Sequence, residues 1–259
     1  MPFADAKQRF STRVADYVRY RPGYPPALID LLRDECGLTE RSIIADIGSG
    51  TGKLAELFLK NDNQVFGVEP NAEMRGGGEE VLRAWSNFTS VNGSAEATTL
   101  ADASVDFVTV GQAFHWFEPQ AARKEFARIL QPNGYVALIW NDRRMEESPF
   151  ARDYENLLQK FGNDYASVKD SYPEADKIGT FFGADAFQSR DLPNHQDFDW
   201  EALAGRLRSS SYAPLPADAK YTPMMTALEN IFRANEHVGV VRMNYFTRIY
   251  YGHLREHGN

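Results

Sequence analysis

The sequence predicts an α/β protein built on a doubly wound, mostly parallel seven-stranded sheet, with an N-terminal helical lid and a helical cap insertion. Three observations carry that expectation. Between residues 42 and 140 short β-like runs alternate with helical patterns, the signature of stacked βαβ units. The runs IIADI, VDFVTV and YVALIW are apolar almost without a break, as strands covered by helices on both faces are. Beyond residue 144 the alternation stops, and two more β runs with helical stretches around them supply two closing strands and a cap.

Taken in order, Phe3–Tyr20 has helical spacing at Phe10, Val14, Tyr17 and Val18, and a second helix follows Pro25–Pro26 and stops at Gly37. The parallel strands are Ser42–Ile47, Gln64–Glu69, Phe88–Asn92, Val105–Val110 and Tyr135–Trp140. Thr51–Lys60 and Pro119–Leu130 are helices between them; the second has Pro119 in its first turn, Phe126, Ile129 and Leu130 on one face, and a stop at QPNG. Ala72–Trp85 should also be a helix, yet Gly76, Gly77 and Gly78 interrupt it at about 1 kcal/mol each relative to Ala, so a late start or a kink is expected. Residues 145–186 read as helix plus irregular segments, Phe187–Phe198 as a strand, Trp200–Arg208 and Thr222–Ala234 as helices, and Val240–Tyr251 as a β run. The chain divides accordingly into a lid (1–40), a core (41–144), and a cap insertion with closing strands (145–259).

Charge narrows the partners. With 28 Lys and Arg against 36 Asp and Glu the formal charge is −8, which disfavours nucleic acid and membrane surfaces. The single Cys36, in an apolar helical stretch, reads as a packed thiol in a reducing compartment. The N-terminus lacks the apolar core of a secretory signal, and no apolar run approaches the roughly 20 residues of a membrane span, so a cytoplasmic protein is expected. His253 and His257 lack further ligands, His195 and His237 stand in polar surroundings, and no metal site is expected.

Chemistry enters at Ile44–Lys53, where Gly48, Gly50 and Gly52 alternate directly after a strand and before a helix, a pattern that lets backbone approach a ligand closely. A dinucleotide motif would need glycine where Lys53 stands. Asp46 would repel a pyrophosphate but attract the sulfonium and ammonium of S-adenosylmethionine, and Glu69, one βαβ unit later, is placed to accept ribose hydroxyls.

These stretches resemble class I S-adenosylmethionine-dependent methyltransferases of Rossmann-like fold, in the branch similar to the trans-aconitate and cantharidin methyltransferases. The matching segments are YRPGYP (Tyr20–Pro25), DIGSGTG (Asp46–Gly52), EPNAEM (Glu69–Met74), GSAEAT (Gly93–Thr98), ASVDFVTVGQAFHWF (Ala103–Phe117), LQPNGYVALIWNDR (Leu130–Arg143) and RSSSYAPL (Arg208–Leu215). The resemblance implies that Asp46, Gly48, Ser49, Gly50 and Gly52 cradle the methionine and ribose portions of the cofactor. Glu69 and Pro70 then hold the ribose, Ser94, Ala95 and Glu96 border the adenine, and Gln112 and Ala113 line the methionine side. Ser94 stands where many members carry Asp, Asn133 replaces a commoner glycine, and the triple glycine is also unusual.

His115, after the fourth strand, is the candidate catalytic base or acceptor hydrogen-bond partner, set against an imidazole that only orders its loop. Trp116 is a candidate at the pocket edge, set against a packing residue whose N–H finds a partner there. Trp140, Asn141 and Arg143 face the ligand side of an open sheet, and Arg143 suits a carboxylate clamp or a solvated surface position. Tyr17, Tyr20 and Tyr24, with Tyr212 in the cap, are candidates to close over the acceptor, and Arg21 to pair with the cofactor carboxylate. GQAFHW stands where an NPPY-type motif would, which argues against methylation of nucleic-acid or protein amino groups. The function expected is methyl transfer to a small-molecule acceptor, a carboxylate among the choices; the alternatives are a nicotinamide-dependent oxidoreductase and a non-catalytic S-adenosylmethionine-binding protein.

Overall fold

A computed structural model describes residues 14–166, 175–183 and 187–254. Helices α1 (Val14–Tyr20) and α2 (Ala27–Cys36) precede the sheet; residues 3–13 of the first expected helix lie outside the described residues. Gly37 ends α2 in the left-handed region at φ 71°, its N–H returning to the helix. Cys36 packs among Leu28 and Leu32, and burial pushes its thiol up to about 12.

Strands β1 (Ile43–Ile47), β2 (Gln64–Val68), β3 (Phe88–Val91), β4 (Val105–Gly111), β5 (Leu130–Arg143), β6 (Phe187–Phe198) and β7 (Val241–Gly252) form one sheet in the order β3-β2-β1-β4-β5-β7-β6. The first five are parallel, and β7 runs antiparallel between β5 and β6. Helices α3 (Lys53–Leu59), α4 (Ala72–Leu82) and α5 (Pro119–Ile129) cross between the parallel strands. The strand β5 is longer than YVALIW suggests: Asn133 adopts φ 67° within it, and its far end pairs with β7 as far as Arg143↔Tyr245.

Alternation along the strands sorts side chains to two faces. Ile44, Ala137 and Ile139 pack with α2 and α3; Ala45, Val136, Leu138 and Trp140 pack with α5 and with Phe181 and Phe182 of α7 (Ala175–Phe182). A third apolar cluster is the cap. It joins Phe150, Tyr154 and Leu158 of α6 (Pro149–Phe161), Leu203 and Leu207 of α8 (Trp200–Arg208), Met224 and Leu228 of α9 (Tyr221–Asn235), and Met243 and Tyr245 of β7. The cap therefore grows from two insertions, one after β5 and one between β6 and β7, rather than from the first alone.

The triple glycine does not delay α4. Asn71 caps the helix by accepting the Met74 N–H at 2.9 Å, and the helix runs unbroken from Ala72. Small residues are needed for packing instead: a Cβ on Gly77 would lie 2.8 Å from Val14 of α1, and one on Gly78 would lie 3.1 Å from the Gly50 carbonyl. No helix among the described residues is long and apolar enough to cross a membrane.

Candidate active site

The chain leaves β1 toward one edge of the sheet and β4 toward the other, so their carboxyl ends flank a crevice, the usual ligand position in open α/β sheets. A cavity of about 820 Å³ opens there. One wall is the β1–α3 turn with the end of β4, and the opposite wall is the end of β5 with cap residues. Tyr17, Arg21 and Tyr24 from the N-terminal segment close a third side.

Asp46 lies at the base of the first wall, 1% exposed. Its Oδ1 accepts the Thr109 hydroxyl at 3.3 Å, while among the described residues Oδ2 has no hydrogen-bond partner. Burial pushes its carboxyl up to about 7, against the weaker pull of Thr109. Above it, the Gly48 and Ser49 N–H groups donate to the Val68 carbonyl, which folds the turn back on β2. Gly48 has φ 68°, and a Cβ there would lie 2.7 Å from the Ala113 Cβ, so the position needs glycine for both conformation and space. Glu69 fixes the turn from outside, accepting the Gly50 N–H at 3.0 Å and the Asn71 N–H at 2.8 Å.

Gln112 leaves β4 with φ 57°, a left-handed backbone that costs a non-glycine residue about 1 kcal/mol or more. Its amide N–H holds Ile139 and its side-chain NH₂ donates to the Asn141 carbonyl at 3.2 Å, leaving the buried Oε1 with no partner beside the cavity. In the following turn His115 lines the cavity against Trp116, ring centroids 4.7 Å apart, and burial holds its imidazole down to about 4. It is therefore neutral at physiological pH.

The opposite wall is cationic. Arg143 is half-buried against Tyr154 and Tyr165, donating to the Tyr165 hydroxyl at 2.6 Å, to Glu155 at 3.3 Å and to the Tyr212 hydroxyl at 3.4 Å. It is not the solvated surface arginine that was one of the two sequence expectations. Burial raises the Tyr212 phenol, but the guanidinium groups of Arg143, Arg206 and Arg21 outweigh it and bring the group to about 8. Asn141 ties this wall together: its NH₂ donates to the Gly23 carbonyl at 3.1 Å, and its carbonyl accepts from Thr247 at 2.6 Å and Asn194 at 3.1 Å.

Comparison with known sequences bears on the first wall. Residues 45–138 match the family model described as a methyltransferase domain. This stretch is similar to a methyltransferase domain.

Curated relatives extend the match. An uncharacterized methyltransferase of Schizosaccharomyces pombe is 39% identical over 152 residues, covering 58% of this chain and 59% of that protein. Another, of Mycobacterium tuberculosis, is 40% identical over 160 residues, or 61% and 62% of the two chains. The chain thus spans about three fifths of the length of these relatives. Among solved structures, a candidate type II methyltransferase of Anaeromyxobacter dehalogenans superposes with a TM-score of 0.66 at 21% identity, covering 92% of this chain and all of that one, which establishes the shared Rossmann-like fold.

The structure brings Tyr17, Arg21, Tyr24, Asp46, Gly48, Ser49, Gly50, Gln112, His115, Trp116, Asn141, Arg143 and Tyr212 to the cavity. Other candidates sit elsewhere. Trp140 points to the opposite face of β5 from Asn141 and packs edge-on against Phe114 and Tyr250. Tyr20 lies over Gly205 of α8 and donates to Glu201 at 3.1 Å, so it docks the N-terminal segment rather than lining the cavity. Gly52, Glu69, Pro70 and Ala113 stand behind the lining; Ser94, Ala95 and Glu96 form the turn after β3, where Glu96 accepts the Glu118 N–H at 3.0 Å. Sequence reasoning missed Thr51, Lys53, Tyr165 and Arg206, all on the cavity. For Arg206 a signal existed: it shares the helical face of Leu203 and Leu207, an arginine on an apolar stripe.

Proposed function

We propose that the chain transfers the methyl group of S-adenosylmethionine to a small-molecule carboxylate, in the manner of the trans-aconitate and cantharidin branch. The observation that carries this reading is the Asp46 oxygen, buried, without a partner and facing the cavity beside a glycine cradle that a Cβ would fill. A cationic donor fits that site, and a methyltransferase domain implies S-adenosylmethionine. Asp46, Gly48, Ser49, Gly50 and Gln112 would hold the methionine end, with Arg21 at its carboxylate. Glu69 and Pro70 would take the ribose, and Ser94–Glu96 the adenine. When bound, the donor supplies an electrophilic methyl carbon, to which a carboxylate oxygen bonds as the carbon–sulfur bond breaks with its electron pair left on sulfur, giving a methyl ester and S-adenosylhomocysteine with no proton to remove.

For this reaction the protein's part is alignment, which can lower a barrier by about 7–11 kcal/mol. Tyr17 and Tyr24 of the lid (1–40) exclude water above the cradle of the core (41–144), and residues 145–259 add the acceptor wall. A neutral His115 orients the acceptor. The test is isothermal titration with S-adenosylhomocysteine, in which Asp46→Ala and Glu69→Ala should each bind more weakly than the parent; equal affinity in both sinks the donor assignment. Mass spectrometry of a carboxylate pool incubated with the chain and labelled donor should find a methyl ester. His115→Gln should leave ester formation within a few-fold, whereas a loss of 100-fold or more would indicate a hydroxyl or acidic-carbon acceptor needing a general base.

A further inference from the structure

Arg206 is 4% exposed and lines the cavity; among the described residues it makes one hydrogen bond, from Nη1 to Ser210 Oγ at 3.0 Å, and its Nε has no partner. Among the described residues no carboxylate pairs with it. The acid of this cluster, Glu155, is 7% exposed and already takes Arg143 Nη2 at 3.3 Å and the Tyr165 hydroxyl at 2.6 Å. Glu155 thus pairs with Arg143, and among the described residues the buried Arg206 is left without a carboxylate. An arginine does not shed its proton to escape such a site. A buried cation without a counter-ion is strongly unfavourable, and the Tyr154 hydroxyl beside it is likewise buried without a partner. Arg206 lines the same cavity as Asp46.

We propose that Arg206, with Arg143, is the anion-recognition element of the acceptor site, and that it takes a single carboxylate. The proposal rests on the methyl-transfer reading only in calling the occupant the acceptor. One negative charge completes the balance of Arg143, Arg206 and Glu155. The planar guanidinium matches a carboxylate in two-point geometry, which the compact ammonium of lysine does not.

The experiment titrates the chain, with and without saturating S-adenosylhomocysteine, with a series of aliphatic and aromatic monocarboxylates and their matched carboxamides. At least one carboxylate should bind the parent in preference to its amide, and Arg206→Met and Arg206→Lys should weaken that binding by about tenfold or more while S-adenosylhomocysteine affinity is unchanged. Thermal denaturation gives a reading that needs no ligand. Arg206→Met should melt at or above the parent temperature, because an apolar side chain replaces an uncompensated charge. The proposal is overturned if no carboxylate binds the parent, if amides bind as well, or if both variants keep parent affinity for the carboxylate. A lower melting temperature for Arg206→Met would also overturn it, as the mark of a structural arginine. Failure of S-adenosylhomocysteine to bind refutes the methyl-transfer reading alone, since the titrations without it still report on the anion site.

Discussion

Asp46 concentrates the cost and the use of the cavity in one side chain. Its folded pKa, near 7, lies above the ordinary carboxylate value of 3.8, so its contribution to stability is full at low pH and declines as pH rises from about 4 through about 7. Asp46→Asn should abolish that part of the pH dependence in denaturant melts and leave the free protein at least as stable at neutral pH. Ligand binding runs the other way. A cationic donor favours the ionised carboxylate, so S-adenosylmethionine affinity should fall as pH drops below about 7, with proton release on binding near that pH; titrations in buffers of different ionisation enthalpy detect it. A pH-independent affinity in the parent would contradict this role. The sequence carried Asp46 and its glycines because their spacing after an apolar strand has a local geometric meaning. It did not carry the direction of Trp140 or Tyr20, since facing depends on strand parity and on the small Gly205 beneath the Tyr20 ring, which is a partner far away in the chain.

At the scale of elements, α4 separates glycine as a helix weakener from glycine as a packing device. Propensity alone suggested disruption at 76–78, and the helix persists because Asn71 caps it and because close approach to α1 and the glycine turn offsets the weakness. The three positions should then respond differently to alanine. Gly76 has open space, so Gly76→Ala should stabilise by about 0.5–1 kcal/mol in urea melts. Gly78→Ala should press on the Gly50 carbonyl and weaken S-adenosylhomocysteine binding; a variant with parent affinity would show that the turn yields freely. Strands with continuous apolar or alternating runs were legible almost to the residue, as with Phe187–Phe198. The length of β5 was not, because QPNG reads locally as a turn: it is an irregularity between the Leu130 and Tyr135 pairs with β4, and pairing with β7 carries the far end to Arg143.

Across the whole molecule, Asn141 is a polar link among the parts. It reaches the N-terminal segment at Gly23, β6 at Asn194 and β7 at Thr247, whose hydroxyl is fully buried. Asn141→Ala should cost about 1–3 kcal/mol by leaving the Thr247 hydroxyl and the Gly23 carbonyl without this partner. Urea denaturation measures that cost, and a change below about 0.5 kcal/mol would show that the link is dispensable. The seven-stranded arrangement was readable from the sequence because βαβ periodicity is local and connections follow few topologies. The cap was only partly readable, since its helices come from two separated stretches whose shared cluster is a tertiary fact.

The cavity is also a seam between two stretches of the chain. Asp46, the glycine turn, Gln112 and His115 fall inside the stretch that matches the methyltransferase domain, whereas Arg143, Tyr165, Arg206 and Tyr212 all lie beyond its last matched residue, 138. The far wall can therefore be altered by substitution while the matched stretch is left intact, so a match over residues 45–138 says nothing of what the far wall accepts.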